Sequence, residues 1–120
     1  MFTSEEIEHI ISTLNFRHED GTVIAVVQDA ETKEVLMVGH MNREALRKTL
    51  ETGYLHLWSL SRKKLWLKGE TSGNYQQVVD VKVDCDSDAV LVLVKPLGPI
   101  CHTGNKTCFY RGIKELIVQP

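Results

Sequence analysis

The sequence predicts an α+β fold, a single mainly-β domain whose antiparallel, barrel-like strands are accompanied by one or two short helices. The chain has 120 residues, the size of one ordinary domain. Six segments have the alternation or the short apolar runs that are typical of strands, whereas two show helical periodicity. We find no repeat, low-complexity tract or linker, so we expect one domain over residues 1–120.

The two helices are predicted from apolar spacing and from capping residues. Residues 3–14 begin with Thr3 and Glu6, the spacing of a capping box, and their isoleucines recur on one face. Residues 43–52 follow Asn42, a favoured N-cap, and precede Gly53, a common C-terminal stop.

The strands are predicted from β-branched residues and from the breakers between them. Residues 22–28 and 34–38 flank a polar turn, and residues 54–60 and 64–68 flank another. A polar, glycine-containing loop follows at 69–74. Residues 78–84 alternate and 90–94 form a short apolar run, so both are predicted strands, whereas the proline- and glycine-containing segment 96–105 is predicted as loop.

Composition excludes several classes of protein. The net charge of −2 argues against a general nucleic-acid or membrane-surface binder, since both need a basic excess. The longest apolar run, residues 89–94, is far too short to cross a bilayer, and the acidic start does not resemble a signal peptide. We expect a cytoplasmic protein whose three cysteines are free thiols, metal ligands or nucleophiles.

Three carboxylates occur at alternate positions from the last residue of the predicted strand 78–84 onward, at Asp84, Asp86 and Asp88. In an extended chain they share one face, while Cys85 points to the other. Carboxylates this close repel one another unless protons or a cation compensate, and Mg²⁺ prefers such ligands. A solvated acidic turn explains the same residues equally well.

The cysteines offer a second metal hypothesis. Cys85, Cys101 and Cys108 suit a zinc site with one open position, although their spacing matches no standard pattern and they also suit a role as small buried apolar residues. His102, beside Cys101, is a candidate ligand, general base or hydrogen-bonded loop residue.

A basic cluster precedes and enters the polar loop. Arg62, Lys64 and Lys68 are its candidate phosphate-binding cations, and loop groups of the kind that bind phosphate are present at Thr71, Ser72 and Asn74. A solvated hairpin with edge lysines accounts for the cations as well. We expect Trp58 and Trp66 to lie in the core or an interface.

Taken together, motifs between residues 22 and 111 resemble the phosphoribosyl-AMP cyclohydrolases of histidine biosynthesis in order and in spacing. The matching stretches are Val27-Gln28-Asp29, Met41-Asn42-Arg43-Glu44-Ala45-Leu46, Trp58-Ser59, Ser61-Arg62, Lys64-Leu65-Trp66, Lys68-Gly69-Glu70-Thr71-Ser72-Gly73-Asn74, Val83-Asp84-Cys85-Asp86, Gly98-Pro99, Cys101-His102-Thr103-Gly104 and Thr107-Cys108-Phe109.

The resemblance implies an enzyme that opens the adenine ring of N1-(5-phosphoribosyl)-AMP by hydrolysis of the N1–C6 bond, giving the formimino-carboxamide ribonucleotide. It implies an intertwined homodimer that binds Mg²⁺ and has a Zn²⁺ site shared between its subunits. The implied ligands are Asp84, Asp86 and Asp88 for Mg²⁺, and Cys85, Cys101 and Cys108 for Zn²⁺. Zinc would activate water for attack at C6.

Under this resemblance His102 is the candidate for proton transfer, and Arg62, Lys64 and Lys68 are candidates for holding the substrate's two phosphates. Leu60 stands where the family commonly has arginine, which removes one expected cation. The chain ends at Pro120, so we expect no fused pyrophosphohydrolase domain.

Two other functions use the same residues. A structural zinc module would close the site with three thiolates and His102, leaving no position for water. A zinc nucleobase deaminase needs His-x-Glu and Cys-x-x-Cys, and neither motif is present.

Overall fold

The structure, a computed structural model, describes residues 2–117. Two helices and six strands follow one another in the predicted order, and a third, short helix lies near the carboxyl end. The elements are α1 Ser4–Thr13, β1 Val23–Asp29, β2 Val35–Met41, α2 Arg43–Thr52, β3 His56–Ser59, β4 Lys64–Leu67, β5 Gln76–Val83, β6 Ala89–Pro96 and α3 Ile113–Ile117. No helix within residues 2–117 is both long enough and apolar enough to span a membrane.

The larger sheet is mixed rather than wholly antiparallel, in the order β2-β1-β6-β5. The pairs β1–β2 and β5–β6 are antiparallel, whereas β1 and β6 run parallel, with Ile24 opposite Ala89. A parallel pair needs a long crossover, which α2 and the strands β3 to β5 supply here. The prediction of antiparallel strands is therefore wrong for this central pair.

The smaller sheet is the β3–β4 hairpin, in which Leu57 lies opposite Trp66. The predicted barrel-like arrangement is not found, because the strands within residues 2–117 form two separate sheets and not one closed sheet. Within the described part of the chain, an isolated bridge between Tyr54 and Gln77 joins the hairpin region to β5. The two sheets remain separate because the pairing stops after this bridge.

The core forms between the inner face of the larger sheet and the two long helices. Alternate residues of β1, namely Val23, Ala25 and Val27, are fully buried, as are residues of β6 and β2. Helix α1 contributes Ile7 and α2 contributes Leu46 to the same cluster. This shared core supports the prediction of one mainly-β domain.

The predicted caps of both long helices are confirmed. The Thr3 hydroxyl accepts from the Glu6 N–H while the Glu6 carboxylate accepts from the Thr3 N–H. The Asn42 side chain accepts from the Ala45 N–H, and Gly53 ends α2 with φ +79°, a conformation that favours glycine. These local interactions fix both ends of α2 and the start of α1.

A β-bulge in β5 changes the predicted alternation. Val78 lies opposite Val94 and Asp80 lies opposite Leu93, so Val79 is the extra residue and is 55% exposed. Val78 is buried and Val81 packs against the core. The strict alternation predicted for residues 78–84 is therefore broken at Val79.

Candidate active site

A cavity of about 660 Å³ lies between the β3–β4 hairpin, the loop that follows it and the loop after β6. The structure brings together there all six predicted phosphate-binding residues, together with one cysteine and the candidate histidine. These lining residues are Arg62, Lys64, Lys68, Thr71, Ser72, Asn74, Cys101 and His102. Residues separated by up to forty positions thus form one concave surface, a form typical of small-molecule sites.

Two loops of the cavity are joined by a buried amide side chain. The Nε2 of Gln76 donates to the carbonyl oxygens of Asn74 at 3.1 Å and of Gly98 at 3.2 Å. Gln76 is fully buried, which makes these bonds costly to break. Gly98 also lies so close to Asn74 that a Cβ atom there would be 2.6 Å from the Asn74 Cγ. The two walls therefore hold each other in place.

Strand β4 supplies one face of the cavity. Lys64 and Trp66 of β4 and Lys68 directly after it occur at alternate positions, and all three line the cavity. The Lys68 Nζ lies 4.8 Å from the centre of the Trp66 ring, within range of a cation–π contact. Trp66 packs partly against the core, as expected, but its ring also faces the cavity. The alternation with the two lysines is the sequence signal for this position.

Trp58 and Leu60 lie elsewhere on the hairpin. Trp58 is half-buried, and its Nε1 donates to the Asp20 Oδ2 at 3.1 Å, an atom that Lys63 also contacts at 2.6 Å. Leu60 is half-buried in the turn after β3 and is not among the described residues that line the cavity. These contacts orient the hairpin on the loop before β1.

The thiol of Cys101 is buried at the end of the cavity. The Thr103 hydroxyl donates to the Cys101 Sγ at 3.0 Å. This bond lowers the pKa of Cys101, as do the backbone N–H of Thr103, a hydrogen bond with the Cys108 side chain and the positive charge of Lys68. Desolvation and the neighbouring Cys101 raise the pKa of Cys108. The pair therefore favours one thiolate on Cys101 and a retained proton on Cys108.

Lys68 faces this thiol pair. Burial lowers the pKa of Lys68, while the charges of Cys108 and Cys101 act in the opposite direction. A partly desolvated ammonium next to two thiols stabilises their anionic forms. His102, next to Cys101 in sequence, is exposed at the rim of the same cavity.

The loop that carries the two cysteines is fastened to the β1–β2 end of the sheet. The Cys108 N–H donates to the Leu36 carbonyl oxygen at 2.8 Å, and the Thr107 hydroxyl donates to the Val35 carbonyl oxygen at 2.7 Å. The Lys106 Nζ lies 3.2 Å from the Asp29 carboxylate. Cys101 and Cys108 therefore lie at the carboxyl end of β1.

The three aspartates lie on a tight turn between β5 and β6 rather than on an extended strand, which corrects the predicted conformation. One ligand oxygen from each carboxylate lies within 4.8 Å of the others. Ser87 has φ +62°, and the Asp84 Oδ1 accepts from the N–H groups of Asp88 and Ala89, both at 3.1 Å. The turn, not strand alternation, therefore brings the carboxylates together.

The carboxylates are electrostatically unequal. Asp88 is buried, and Arg17, with contributions from Asp86 and His18, lowers its pKa to about 2. Hydrogen bonds and charge from Asp88 and Asp84 raise the pKa of Asp86. A divalent cation would remove the repulsion that disfavours ionised Asp86. Carboxylates are the ligands that Mg²⁺ prefers, so this donor set fits that ion.

The aspartate turn and the paired cysteines lie at opposite ends of β6. Asp84, Cys85 and Asp88 precede the strand, whereas Cys101 follows it, and eight strand residues span about 23 Å. Within residues 2–117, the aspartates are the only three side chains of metal-ligating type that converge. Cys85 is exposed. One chain therefore does not bring its three cysteines together.

Comparison with known proteins identifies the family. Residues 37–110 match the family model described as Phosphoribosyl-AMP cyclohydrolase. The chain belongs to the phosphoribosyl-AMP cyclohydrolase family. The matched segment includes every residue of the cavity, the aspartate turn and all three cysteines.

Relatives named phosphoribosyl-AMP cyclohydrolase match most of the chain. The protein of Sulfurisphaera tokodaii is 65% identical over 96% of this chain and 98% of its own length. That of Saccharolobus solfataricus is 75% identical over 68% of this chain and 95% of its own length. That of Methanothermobacter thermautotrophicus is 63% identical over 83% of this chain and 75% of its own length. The chain is thus a member of an enzyme family, and the resemblance seen in its motifs is confirmed.

Proposed function

We propose that this chain catalyses the hydrolytic opening of the adenine ring of N1-(5-phosphoribosyl)-AMP in histidine biosynthesis, in the cytoplasm. The bond cleaved is N1–C6, and the product is the formimino-carboxamide ribonucleotide. One observation carries this proposal: within the segment that matches the family model, residues between Ser59 and Gly104 line a single cavity that holds cations, hydroxyls, a thiol and a histidine.

The cavity suits a nucleotide with two phosphate groups. Arg62, Lys64 and Lys68 supply positive charge along one wall, and phosphate oxygens accept hydrogen bonds from such groups. Thr71 and Ser72 supply hydroxyls on the facing loop. Its volume of about 660 Å³ is within the ordinary range for small-molecule sites. Binding at both phosphates would hold the ring between them, which is the orientation that a hydrolysis step needs.

The thiols would hold zinc in a site shared between two subunits. Cys101 and Cys108 lie together, and their environment favours ionisation of the first. Cys85 is exposed at the far end of β6, where a second copy of the chain can reach it. Three thiolates leave one position of a tetrahedral zinc site open. This arrangement supports a homodimer with the partner's Cys85 as the third ligand.

Zinc held by these thiols would supply a Lewis acid able to activate water near neutral pH. The substituent on N1 makes the six-membered ring cationic, so C6 is electrophilic before any residue acts. His102 lies on the cavity rim, and its imidazole can deliver a proton to N1 as the N1–C6 bond breaks. Lys68 stabilises the thiolates beside it. The aspartate turn would hold Mg²⁺ through Asp84, Asp86 and Asp88.

Hybrid dimers test this proposal. Cys85→Ala and Cys101→Ala chains, each with a different affinity tag, are co-expressed, and the doubly tagged species is purified and assayed for phosphoribosyl-AMP turnover. Each variant alone is expected to be inactive. The hybrid keeps one site with an intact Cys85 from one subunit and intact Cys101 and Cys108 from the other. We expect it to recover about half of the wild-type turnover.

The matched control is a hybrid of Cys101→Ala with Cys108→Ala. Both substitutions affect the same cysteine pair, so each site of that hybrid lacks one ligand and no activity returns. A Cys85→Ala and Cys101→Ala hybrid as inactive as the control would overturn the shared site. Full activity in the Cys101→Ala homodimer would overturn the zinc chemistry itself.

A further inference from the structure

The loop between α1 and β1 contacts the aspartate turn at several points. The Asn15 N–H donates to the Ser87 carbonyl oxygen at 2.7 Å. The Arg17 Nε and Nη2 lie 2.7 and 2.6 Å from the Asp88 Oδ2. The His18 Nε2 lies 3.0 Å from the same oxygen. Neither the Arg17 nor the His18 side chain lines the cavity, and both residues lie outside the segment that matches the family model.

These contacts divide the oxygens of Asp88 into two kinds. Arg17 and His18 both contact Oδ2. Apart from contacts among the three aspartates, no hydrogen bond within residues 2–117 involves Oδ1. Asp84 is similar, because the backbone N–H groups of Asp88 and Ala89 both engage its Oδ1. In each carboxylate one oxygen is anchored and the other is left for a ligand. Anchoring of this kind fixes the direction of a metal-binding carboxylate.

We propose that Arg17 and His18 are positioning residues that hold Asp88 through its Oδ2 so that Oδ1 is directed at a divalent cation bound by the aspartate turn. The inference rests on the Mg²⁺ site of the proposed function. Arg17 supplies two donors to one oxygen, a fork that lysine cannot reproduce. His18 restricts the same oxygen from a second direction.

The alternative role of Arg17 is that of a counter-ion that a metal must displace. The two roles predict opposite changes in metal affinity when Arg17 is replaced. Removing a cation beside a metal site strengthens metal binding if that cation only competes for the carboxylate. Removing it weakens metal binding if the cation positions the ligand, and such losses are commonly tenfold or more.

The experiment measures Mn²⁺ binding to the full, zinc-loaded chain by electron paramagnetic resonance of the free ion. Mn²⁺ prefers the same oxygen ligands as Mg²⁺. The variants are Arg17→Met, Arg17→Lys and His18→Asn. Arg47→Met is the matched control, since Arg47 loses the same charge but pairs with Glu8 and Glu44 on the helices. Asp84→Asn reports the site itself, and zinc content and thermal unfolding report the fold.

We expect Arg17→Met to weaken Mn²⁺ binding about tenfold, Arg17→Lys and His18→Asn to weaken it less, and Arg47→Met to leave it unchanged. Unchanged or tighter Mn²⁺ binding in folded Arg17→Met, with Asp84→Asn abolishing it, would overturn the positioning role while leaving the metal site standing. Wild-type protein that binds no Mn²⁺ would overturn the metal site, and this inference with it.

Discussion

The Thr103 hydroxyl donates a hydrogen bond to the Cys101 Sγ across 3.0 Å, within the loop that closes one end of the cavity. The hydroxyl is the largest contributor to the lowered pKa of Cys101, ahead of the backbone N–H of Thr103. Zinc binds the thiolate, so it competes with the proton on this sulfur. In the proposed zinc site this bond would therefore favour metal uptake by the loop.

Replacing Thr103 by valine is expected to raise the pKa of Cys101 and to weaken zinc binding. The loss should be small at alkaline pH, where both thiols are ionised, and should reach its full size once the pH lies below the pKa of the thiol in both proteins. Zinc affinity measured by competition with a chromogenic chelator at several pH values checks this. Thr13→Val, on the surface of α1, is the control. Equal zinc affinities for Thr103→Val and the wild type at every pH would contradict a role for this hydroxyl in metal uptake.

Asp86→Asn is expected to stabilise the metal-free protein at neutral pH. The pKa of Asp86 is raised in the folded state, so its contribution to stability is present at low pH and is lost as pH rises through that pKa. Above it, the ionised carboxylate repels Asp88 and Asp84. The amide removes this repulsion and also one ligand, so the increase in Tm that Mg²⁺ produces should shrink. Differential scanning calorimetry measures both the Tm of the metal-free protein and the increase in Tm on addition of Mg²⁺.

The control for this prediction is Asp80→Asn, which removes an exposed carboxylate from β5 outside the aspartate turn. It should leave the Mg²⁺ effect on Tm as in the wild type. A lower Tm for metal-free Asp86→Asn than for the wild type would contradict the repulsion among the three carboxylates.

Acid unfolding of the metal-free protein should depend on the pair formed by Arg17 and Asp88. Asp88 has a pKa of about 2 when folded, below its value of about 3.9 in an unfolded chain. Its stabilising contribution is therefore present above the unfolded pKa and is lost as pH falls toward the folded one. In Arg17→Met this part of the pH dependence should be reduced. Lys48→Met, from an exposed pair on α2, should retain it.

The free energy of unfolding, measured with urea at a series of acidic pH values, checks this prediction. Parallel curves for Arg17→Met and the wild type across the acidic range would show that Arg17 does not set the ionisation of Asp88.

Gly98→Ala is expected to impair substrate binding more than it impairs stability. A Cβ at this position would lie 2.6 Å from the Asn74 Cγ, so the Asn74 side chain must turn away from its place in the cavity wall. KM should rise with a smaller change in kcat, as expected when a binding contact is lost. Gly112→Ala is the matched control, because a Cβ there would lie 4.0 Å from the Glu115 Oε1, an ordinary contact. A KM equal to that of the control would contradict the role given to the contact between Gly98 and Asn74.

Much of the fold can be predicted because its signals are local. The capping box of Thr3 and Glu6 and the caps of α2 at Asn42 and Gly53 need only neighbouring residues. The parallel pairing of β1 with β6 cannot be predicted in this way, because it depends on a crossover rather than on either strand. The bulge at Val79 similarly depends on the facing strand.

In the candidate site, too, residues with a local sequence signal can be predicted and those placed by distant segments cannot. The cations and hydroxyls can be predicted because they cluster in sequence, and the cavity collects them. The sequence gives no signal for Arg17 and His18, because each is a single polar residue in a loop, about seventy positions away from its partner Asp88. Their contact depends on the placement of the α1–β1 loop against the β5–β6 turn, which no local pattern encodes.

The activity proposed for this chain is the opening of the adenine ring of phosphoribosyl-AMP with the help of thiol-bound zinc. The most direct measurement follows the absorbance change of ring opening before and after treatment with a zinc chelator, and again after zinc is restored. We predict turnover that disappears with the chelator and returns with added zinc. No turnover by folded, zinc-replete protein, or turnover that persists after the zinc is fully removed, would contradict this activity or its dependence on zinc.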